Sequence, residues 1–501
     1  MKKTIILTLL CCAAFSATAQ SSFGEKPKLV VGIVVDQMRW DYLDRYYDQF
    51  CDGGFKRLIA GGFSCNNCLI NYLPTVTAIG HASAYTGSTP ALHGICGNNF
   101  FIDGVATYCV GDQTVQTVGA KSNKGQVSPR NLLSTTIGDQ LRMHTDFRSK
   151  VVGVSYKDRA AILPAGRSAN AAFWIDGKNL CFVSSTYYMQ ELPQWAKDVN
   201  KAMAKDKKLQ TLRDTINNSP LCGTVVTDMA IAALRGEQLG WGDATDMLCV
   251  SYSQTDAIGH KWGTRGKMTD DAYLTLDKDL ARLMNALDEQ VGNGNYLLFL
   301  TADHGAAQNY KWMTDHKMNA GKWLTEEIRR QTEACVSREL GATKPVIKGL
   351  LDYRFFLDHE AVKEQGLDVQ QVKECVIRYL RTLPNVMFVA DYEHIATASM
   401  PQLLRDRALM GYHPRRSGDI LVIPESGYYD YASWSSPTGT THGKWNPYDA
   451  HIPLLFFGWR VPQGATSREV HITDIAPTVC QLLHIQQPNA CVGEAITEVT
   501  K

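Results

Sequence analysis

Beyond its first twenty residues, the sequence lacks any uninterrupted apolar run that approaches the roughly 20 residues of a membrane-spanning helix. It also lacks an excess of one charge, because 51 Lys and Arg face 50 Asp and Glu and leave a formal net charge of +1. A near-neutral chain gives no electrostatic reason to expect a nucleic-acid partner. No internal repeat or low-complexity tract is present. From these absences we expect neither a membrane-spanning helix nor a nucleic-acid partner.

Residues 1–19 have the pattern of a secretory signal peptide. Two lysines are followed by an apolar stretch over residues 4–15, which is too short to span a membrane, and by an A-x-A cleavage site at residues 17–19. We therefore expect a soluble, exported protein.

Cysteine use fits export but identifies no metal motif. Two of the 14 cysteines lie in the signal peptide, so twelve remain that could form disulfides. Cys65 and Cys68 form a C-x-x-C pair, yet the second pair that a structural zinc site needs is missing. A local disulfide and simple burial stay open for these two residues, and the pairing cannot be read from the sequence.

Short β-rich apolar runs alternate with helical patterns towards both ends of the chain. The runs are KLVVGIVVD, KVVGVSYK, DMLCVSYSQ, YLLFLTADH, DILVIPES and HIPLLFFG. Residues 269–288, between two of them, repeat apolar side chains along one helical face. This alternation predicts an α/β fold, a doubly wound and mostly parallel sheet with helices on both faces.

Residues 309–418 differ in pattern and predict a small α+β insertion that covers one edge of the main sheet. A helix is expected over residues 326–340, where Gly341 ends it, and Asp368 is expected to cap a second helix. The strand-like pieces YRFFL and VMFVA flank that second helix.

Three of the apolar runs end near an acid. The candidate residues are Asp36, Asp256, His260, Asp303, His304 and His442. Because the carboxyl ends of parallel strands share one edge of a sheet, these distant residues can converge there. Histidine nitrogens and carboxylate oxygens are ligands that zinc accepts, and a catalytic zinc keeps one position open. Each acid–histidine pair alone would more often be structural, but their joint position at strand ends favours a metal centre.

A threonine lies where it could attack phosphorus held at such a centre. In LPTVTAIGHASAYTG, Pro74 breaks the preceding segment, so that Thr77 is expected near a helix N-terminus. Free N–H groups there favour a phosphate, and an activated hydroxyl would be the nucleophile. Taken alone, Thr77 fits a helix cap better. Thr75 is the rival nucleophile, and His81 is expected to be structural.

These motifs resemble those of the alkaline phosphatase superfamily, and most closely its PafA-type phosphate monoesterases, the exported alkaline phosphatases of Bacteroidetes. The similar segments are VVDQMRWDYL, PTVTAIGHASAYTGSTPALHGICGNNF, SYKDRAAILPAG, TDAIGH, TADHGA, THGKWNPYDAHIPLLFFG and ITDIAPTVCQLL. They run in order along the chain, and the insertion is the least diagnostic part. The resemblance implies an alkaline phosphatase-like catalytic domain over residues 20–501 and a location in the periplasm of a Gram-negative cell.

Carried over by motif, the resemblance implies a site with two Zn²⁺ ions. One ion would be bound by Asp256, His260 and His442. The other would be bound by Asp36, Asp303 and His304, with Thr77 as the nucleophile at the metals. The phosphate would be bound by Asn98, Lys157 and Arg159. Because Lys157 and Arg159 are two residues apart, we expect them to point the same way from an extended strand.

The implied reaction is hydrolysis of small phosphate monoesters through a phosphothreonine intermediate. A phosphodiesterase or nucleotide pyrophosphatase of the same superfamily is the main alternative, although that branch uses an apolar groove where this chain has Lys157 and Arg159. A catalytically silent, metal-binding relative is the alternative from another class. Sulfatases are excluded because their C-x-P-x-R motif is missing. Nothing in the sequence fixes the natural substrate, and a monomer is the working expectation.

Overall fold

The computed structural model of the chain describes residues 26–432 and 435–500, so the predicted signal peptide lies outside the described residues. The strands are β1 (Leu29–Val35), β2 (Phe63–Cys65), β3 (Cys68–Leu69), β4 (Asn99–Ile102), β5 (Val105–Tyr108), β6 (Thr117–Val118), β7 (Val151–Ser155), β8 (Ala171–Asp176), β9 (Cys181–Ser185), β10 (Asp246–Tyr252), β11 (Tyr296–Thr301), β12 (Gly321–Trp323), β13 (Ile347–Leu351), β14 (Arg354–Leu357), β15 (Val386–Asp391), β16 (Ile420–Pro424), β17 (Tyr428–Asp430), β18 (His451–Ile452), β19 (Leu454–Gly458), β20 (Gly464–Thr466) and β21 (Val470–His471).

The α-helices are α1 (Tyr42–Arg45), α2 (Phe55–Gly61), α3 (Thr77–Thr86), α4 (Pro90–His93), α5 (Ile137–His144), α6 (Asp158–Ala165), α7 (Gln194–Lys205), α8 (Lys207–Gln210), α9 (Leu221–Gly236), α10 (Gln254–Trp262), α11 (Lys267–Val291), α12 (Tyr310–Asp315), α13 (Thr325–Leu340), α14 (His359–Glu364), α15 (Val369–Leu380), α16 (Gln402–Gly411), α17 (Pro447–Ala450), α18 (Ile475–Leu483) and α19 (Thr497–Thr500). Short 3₁₀ turns cover Tyr47–Gln49, Pro129–Asn131, Ile216–Asn218, Ile395–Thr397 and Ile472–Asp474.

The main sheet has ten strands in the order β20-β2-β19-β11-β1-β10-β7-β8-β9-β6. Its five central strands, from β11 to β8, are parallel to one another, whereas β19 pairs antiparallel with β11. Every residue of β1, β10 and β11 is buried, which requires cover on both faces of the sheet. The predicted fold class, a doubly wound and mostly parallel α/β sheet, is confirmed.

The helices predicted from apolar periodicity and end signals are present. Helix α11 contains the predicted stretch 269–288. Helix α13 ends before Gly341, whose φ of +71° is the left-handed conformation that glycine adopts without strain. Asp368 caps α15 by accepting a hydrogen bond from the Gln371 N–H. Among the residues that the structure describes, no helix combines the length and the apolar character needed to cross a membrane.

A second, antiparallel sheet of four strands has the order β13-β14-β16-β15 and a separate apolar core that includes residues of α13 and α15. Strand β16 comes from the run DILVIPES, so the prediction that this run belongs to the main sheet is wrong. An apolar run reports that a strand is buried, but it carries no information about which sheet buries it. The range 309–418 of the insertion stays a prediction.

Candidate metal centre

Parallel strand ends bring the predicted acids to one edge of the main sheet. Asp36 directly follows β1, and its N–H donates to the Tyr252 carbonyl at the end of β10 (3.0 Å). Asp256 lies in the first turn of α10, which begins two residues after β10, and Asp303 lies two residues after β11. Because β1 lies between β10 and β11, all three carboxylates point into one region.

One trio of candidate ligands consists of Asp256, His260 and His442, whose ligand atoms lie within 4.8 Å of one another. Asp256 Oδ1 lies 3.1 Å from His260 Nε2 and 3.6 Å from His442 Nε2. His260 Nδ1 lies 2.8 Å from the Thr440 carbonyl oxygen, and His442 Nδ1 lies 2.8 Å from the Thr75 carbonyl oxygen. Since a carbonyl oxygen only accepts, Nδ1 carries the hydrogen in both rings, and Nε2 is the nitrogen turned towards the carboxylate.

The other trio consists of Asp36, Asp303 and His304, all fully buried. His304 Nε2 lies 3.6 Å from Asp36 Oδ1 and 3.4 Å from Asp303 Oδ2, and its Nδ1 donates to the Gly305 carbonyl (3.0 Å). Neither Asp36 Oδ1 nor Asp303 Oδ2 has a hydrogen-bond partner among the described residues. Both are therefore buried oxygens whose ion-pair neighbours among the described residues are histidine ring nitrogens 3.3–3.6 Å away, longer than a good hydrogen bond.

The two trios form one centre. The rings of His304 and His442 stack with centroids 3.5 Å apart, and Lys157 Nζ lies 2.7 Å from Asp36 Oδ2 and 2.6 Å from Asp256 Oδ2. Burial, with Asp303 alongside, raises the pKa of Asp36 well above its ordinary value. Burial acts to lower the pKa of Lys157, but the two carboxylates outweigh it and raise that pKa. The centre is thus a concentration of like charge that one lysine only partly balances.

These residues fit a metal cofactor. A divalent cation would satisfy the partnerless oxygens of Asp36 and Asp303 and relieve the repulsion between neighbouring carboxylates. A histidine that donates Nδ1–H to a backbone carbonyl is the usual arrangement of a metal-binding imidazole. Mixed histidine and carboxylate ligands suit zinc and other transition metals, whereas calcium and magnesium take oxygen ligands.

Thr77 is the first residue of α3, and its Oγ1 lies 3.5 Å from His304 Nε2. The helix cap is Val76, and no side chain caps this end, so the interpretation of Thr77 as a cap is wrong. Thr75 donates its hydroxyl hydrogen to the Lys444 carbonyl (2.9 Å), so its hydroxyl is engaged by the backbone. The geometry favours Thr77 over Thr75 as the nucleophile, and its catalytic role stays a prediction.

Asn98 is oriented by helix α3. Its Oδ1 accepts a hydrogen bond from the Ala78 N–H (3.0 Å), next to Thr77. Because the oxygen is occupied by a backbone donor, Nδ2 is the end of the amide that can donate to a ligand.

Lys157 and Arg159 flank the start of α6 rather than a strand. Strand β7 ends at Ser155, Lys157 is the N-cap of α6 and Arg159 lies in its first turn, so the prediction of a shared extended strand is wrong. Arg159 Nη1 donates to the Tyr108 hydroxyl (3.2 Å). Burial acts to lower the pKa of Arg159, but Tyr108 and its neighbours raise it above its ordinary value. The Arg159 Nε is buried without a partner in the described residues.

The sequence did not identify two further residues that contact the candidate ligands. The Gln37 N–H donates to Asp303 Oδ1 (3.1 Å), and its side-chain Nε2 donates to Asp256 Oδ1 (2.6 Å). His81, predicted to be structural, directs Nδ1 at the Thr77 carbonyl (2.9 Å) and lies 3.3 Å from Asp303 Oδ2. The spacing of four residues between Thr77 and His81 was the available signal, since such residues share a helix face.

Tyr108 and Asp158 were also missed. The Tyr108 hydroxyl donates to Asp158 Oδ1 (2.5 Å) and accepts from Arg159, so this pair holds the guanidinium in place. Tyr108 lies about fifty positions before Arg159 along the chain, and no sequence spacing connects them.

Comparison with known proteins gives consistent matches. The family model of type I phosphodiesterases / nucleotide pyrophosphatases matches residues 30–447. The alkaline phosphatase PafA of Elizabethkingia meningoseptica is 42% identical over 99% of this chain and 99% of its own length. A Myroides odoratus protein named calcium-transporting ATPase is also 42% identical over 99% of both chains. The crystal structure of wild-type PafA superposes with a TM-score of 0.91 at 42% identity, covering 95% of this chain and all of that one.

Proposed function

The chain belongs to the type I phosphodiesterase / nucleotide pyrophosphatase family and is a phosphatase, and from that premise we propose that it is an exported, periplasmic enzyme with two zinc ions. It hydrolyses small phosphate monoesters through a phosphothreonine at Thr77. The observation that carries this proposal is the position of Thr77 Oγ1, at the first residue of a helix and 3.5 Å from His304 Nε2.

Each trio would hold one zinc ion. Bound zinc would lower the pKa of hydroxyl groups at the centre and offset negative charge on the phosphoryl oxygens. The Myroides relative's name mentions calcium, but the histidine nitrogens in both trios favour zinc over an ion that prefers oxygen ligands.

The chain's own residues account for the phosphoryl transfer. Thr77 Oγ forms a bond to phosphorus while the bond to the substrate's alcohol oxygen breaks, and the alcohol leaves with the proton that Thr77 gives up. Water then attacks the phosphothreonine, which restores the hydroxyl and releases inorganic phosphate. Asn98 Nδ2, Lys157 and Arg159 are the donors for the non-bridging oxygens, where the transition state needs its stabilisation.

The charge of these donors favours monoesters over diesters. A monoester dianion has one more negative charge than a diester, and Lys157 and Arg159 supply two fixed positive charges. The family name leaves a phosphodiesterase as the second candidate. Rates on an aryl phosphate monoester and the matching diester would separate the two, and faster hydrolysis of the diester would overturn the assignment. Because the chain is a phosphatase, the silent metal-binding alternative does not hold.

Replacing the nucleophile is the central test. We expect Thr77→Ala to lower turnover by at least about 1,000-fold at unchanged zinc content, because the rival hydroxyl of Thr75 is hydrogen-bonded to the Lys444 carbonyl. Thr77→Ser, which keeps a hydroxyl, is the matched control and should retain far more activity. Acid-quenched wild-type enzyme should yield one phosphorylated peptide that contains Thr77. Near-normal turnover of Thr77→Ala with full zinc would rule out the covalent route.

Export has a separate test. N-terminal sequencing of the protein from a periplasmic fraction should begin at Gln20, the residue after the predicted cleavage site. A mature chain that still begins at residue 1 would contradict the signal peptide without affecting the chemistry.

A further inference from the structure

A two-residue turn of the four-stranded sheet, Asp352–Tyr353, lies beside the chain neighbours of two candidate site residues. It joins β13 to β14, whose register pairs Leu351 with Arg354. Both turn residues have positive φ, +48° for Asp352 and +64° for Tyr353. Such hairpin turns favour Asn or Asp followed by Gly, and a bulky side chain at the second position is strained. Strain of this kind persists where surrounding contacts impose it, and it clusters at functional sites.

The first of those contacts is with Gly97, the residue before Asn98. A Cβ built on Gly97 would lie 2.8 Å from Asp352 Oδ2 and 3.1 Å from Arg354 Nη2. Asp352 Oδ2 accepts a hydrogen bond from Arg354 Nη2 (3.1 Å), and Arg354 is fully buried. The backbone at Gly97 is therefore in direct contact with a fixed ion pair.

The second contact is with Gly443, the residue after His442. A Cβ built on Gly443 would lie 3.5 Å from Tyr353 Cε2, so the space between the ring and the Gly443 backbone is about that of one methyl group. The Tyr353 ring is buried, and its hydroxyl accepts a hydrogen bond from the Asp430 N–H (3.0 Å). The ring therefore packs beside the backbone that follows His442.

One short turn thus touches the chain neighbours of two site residues that come from distant parts of the sequence. We propose that the Asp352–Tyr353 turn is a positioning element of the reaction centre. It orients Asn98 through Gly97 and His442 through Gly443, and it does not touch the substrate. This inference rests on the proposed function, in which Asn98 donates to the phosphate and His442 binds zinc.

The route to Asn98 is short. Asn98 Oδ1 accepts a hydrogen bond from the Ala78 N–H, and the Asn98 carbonyl accepts one from the Cys109 N–H (3.0 Å for each). With these two atoms held, the orientation of the Asn98 amide depends on the backbone at Gly97. If Gly97 moves, the amide pivots about Ala78, and Nδ2 turns away from the phosphate. Small displacements of such donors are costly to catalysis.

A double-mutant cycle between Asp352 and Asn98 tests this route in the full-length, zinc-loaded enzyme. We expect Asp352→Ala to lower kcat/KM for an aryl phosphate monoester by about tenfold, and to weaken inhibition by inorganic phosphate to a similar degree. In an Asn98→Ala background the same change should have an effect of less than about twofold, because the two act through one donor. Equal effects in both backgrounds would show a merely structural role and overturn the proposal.

Two controls accompany the cycle. Lys348→Ala, on β13 of the same hairpin, removes an ion pair with Asp358, and Lys348 is not among the nearest neighbours of Gly97, so its kcat/KM should stay at the wild-type value. Asp352→Asn keeps the shape of the side chain and serves if Asp352→Ala does not fold. If Asn98→Ala itself leaves phosphate inhibition unchanged, the assigned role of Asn98 fails, and the turn's role fails with it. If Asn98→Ala weakens phosphate inhibition but Asp352→Ala and Asp352→Asn leave kcat/KM and phosphate inhibition unchanged, only the positioning role of the turn is refuted.

The proposed effect of the turn on His442 can be measured through zinc binding, independently of turnover. Tyr353→Leu removes the ring that packs beside Gly443, whereas Tyr353→Phe removes only the hydroxyl that accepts from Asp430. In competition with a chromophoric chelator, Tyr353→Leu should release zinc at least about tenfold more readily than wild type, and Tyr353→Phe should not. Equal zinc retention in wild type and Tyr353→Leu would overturn the proposal that the turn positions His442.

Discussion

Acids gather with histidine or cysteine in two regions of the molecule, at the carboxyl edge of the main sheet and around the four-stranded sheet. The groups in the second region are Cys335, Glu339 and Cys375, and Asp391, Glu393 and His394. There the acids have partners: Glu339 lies 2.7 Å from Arg378, and Asp391 lies 3.1 Å from Lys373.

At the main edge only one oxygen of each acid is paired, Asp36 Oδ2 with Lys157 and Asp303 Oδ1 with the Gln37 N–H, whereas Asp36 Oδ1 and Asp303 Oδ2 are buried and lack a hydrogen-bond partner among the described residues. A cluster of ligand-type residues is therefore not enough to identify a metal centre. The informative feature is a buried oxygen that the surrounding chain leaves unsatisfied, since such an atom is costly unless a cation fills the site.

The largest effect should come from removing one of the unsatisfied acids. We expect Asp303→Asn to lower zinc affinity by more than about 100-fold, since loss of an outer partner alone can cost 10–100-fold, and to abolish turnover. Glu339→Gln, the matched change in the second region, should alter neither, because Glu339 is already paired with Arg378. Competition with a chelator and steady-state kinetics measure both. Full zinc binding by Asp303→Asn would contradict the contrast between the regions.

An intermediate effect, on stability alone, is expected in the four-stranded sheet. Lys373 and Asp391 are 6% and 12% exposed, so Asp391→Asn leaves a nearly buried ammonium whose remaining ion-pair partner among the described residues is Glu393, 3.4 Å away. Breaking such a pair should lower the free energy of unfolding by about 3–5 kcal/mol. Urea denaturation would show the loss, while kcat of the folded enzyme should not change. The double variant Lys373→Met/Asp391→Asn should recover part of the lost stability. A large fall in the kcat of Asp391→Asn would show that the Lys373–Asp391 pair also contributes to the reaction.

The smallest effect depends on pH. The hydrogen bond with Asp419 raises the pKa of His359 above its ordinary value of 6.5. A raised histidine pKa contributes stability that is fully present below 6.5 and is lost as the pH rises through the folded value. Because the His359 side chain is 56% exposed, solvent screens the pair, and the contribution should be under about 1 kcal/mol.

Unfolding of wild type and His359→Gln, compared at about pH 5.5 and about pH 8.5, measures this difference. The variant should show less loss of stability at the higher pH. His316→Gln is the control, since His316 contacts a backbone carbonyl rather than a carboxylate. If the pH dependence of unfolding is identical in wild type and His359→Gln, the His359–Asp419 pair does not contribute to it.

The sequence predicted the parts of the fold that depend on local pattern. Strands β1, β7, β10 and β11 were recognisable as apolar runs, and the acids that follow β1, β10 and β11 were recognisable because composition changes abruptly there. Helices α13 and α15 were marked by Gly341 and Asp368. Convergence of Asp36, Asp256 and Asp303 then followed from the shared edge of parallel strands.

The rest depends on contacts that no local pattern records. The run that forms β16 is as apolar as a main-sheet strand, so only tertiary packing assigns it to the other sheet. Tyr108 and Gln37 reach site residues far away in the sequence. The turn at Asp352–Tyr353 was hidden because tyrosine is a poor choice for a position with positive φ.

The order of the ligands along the chain has a consequence for biosynthesis. Asp36, Asp303 and His304 have all been made once residue 304 is added, whereas Asp256 and His260 wait for His442, which comes 138 residues later (442 − 304). Residues 347–424, which include all four strands of the four-stranded sheet, lie between these two points of the sequence. The second trio therefore stays incomplete until synthesis has passed that whole sheet and returned to the main one.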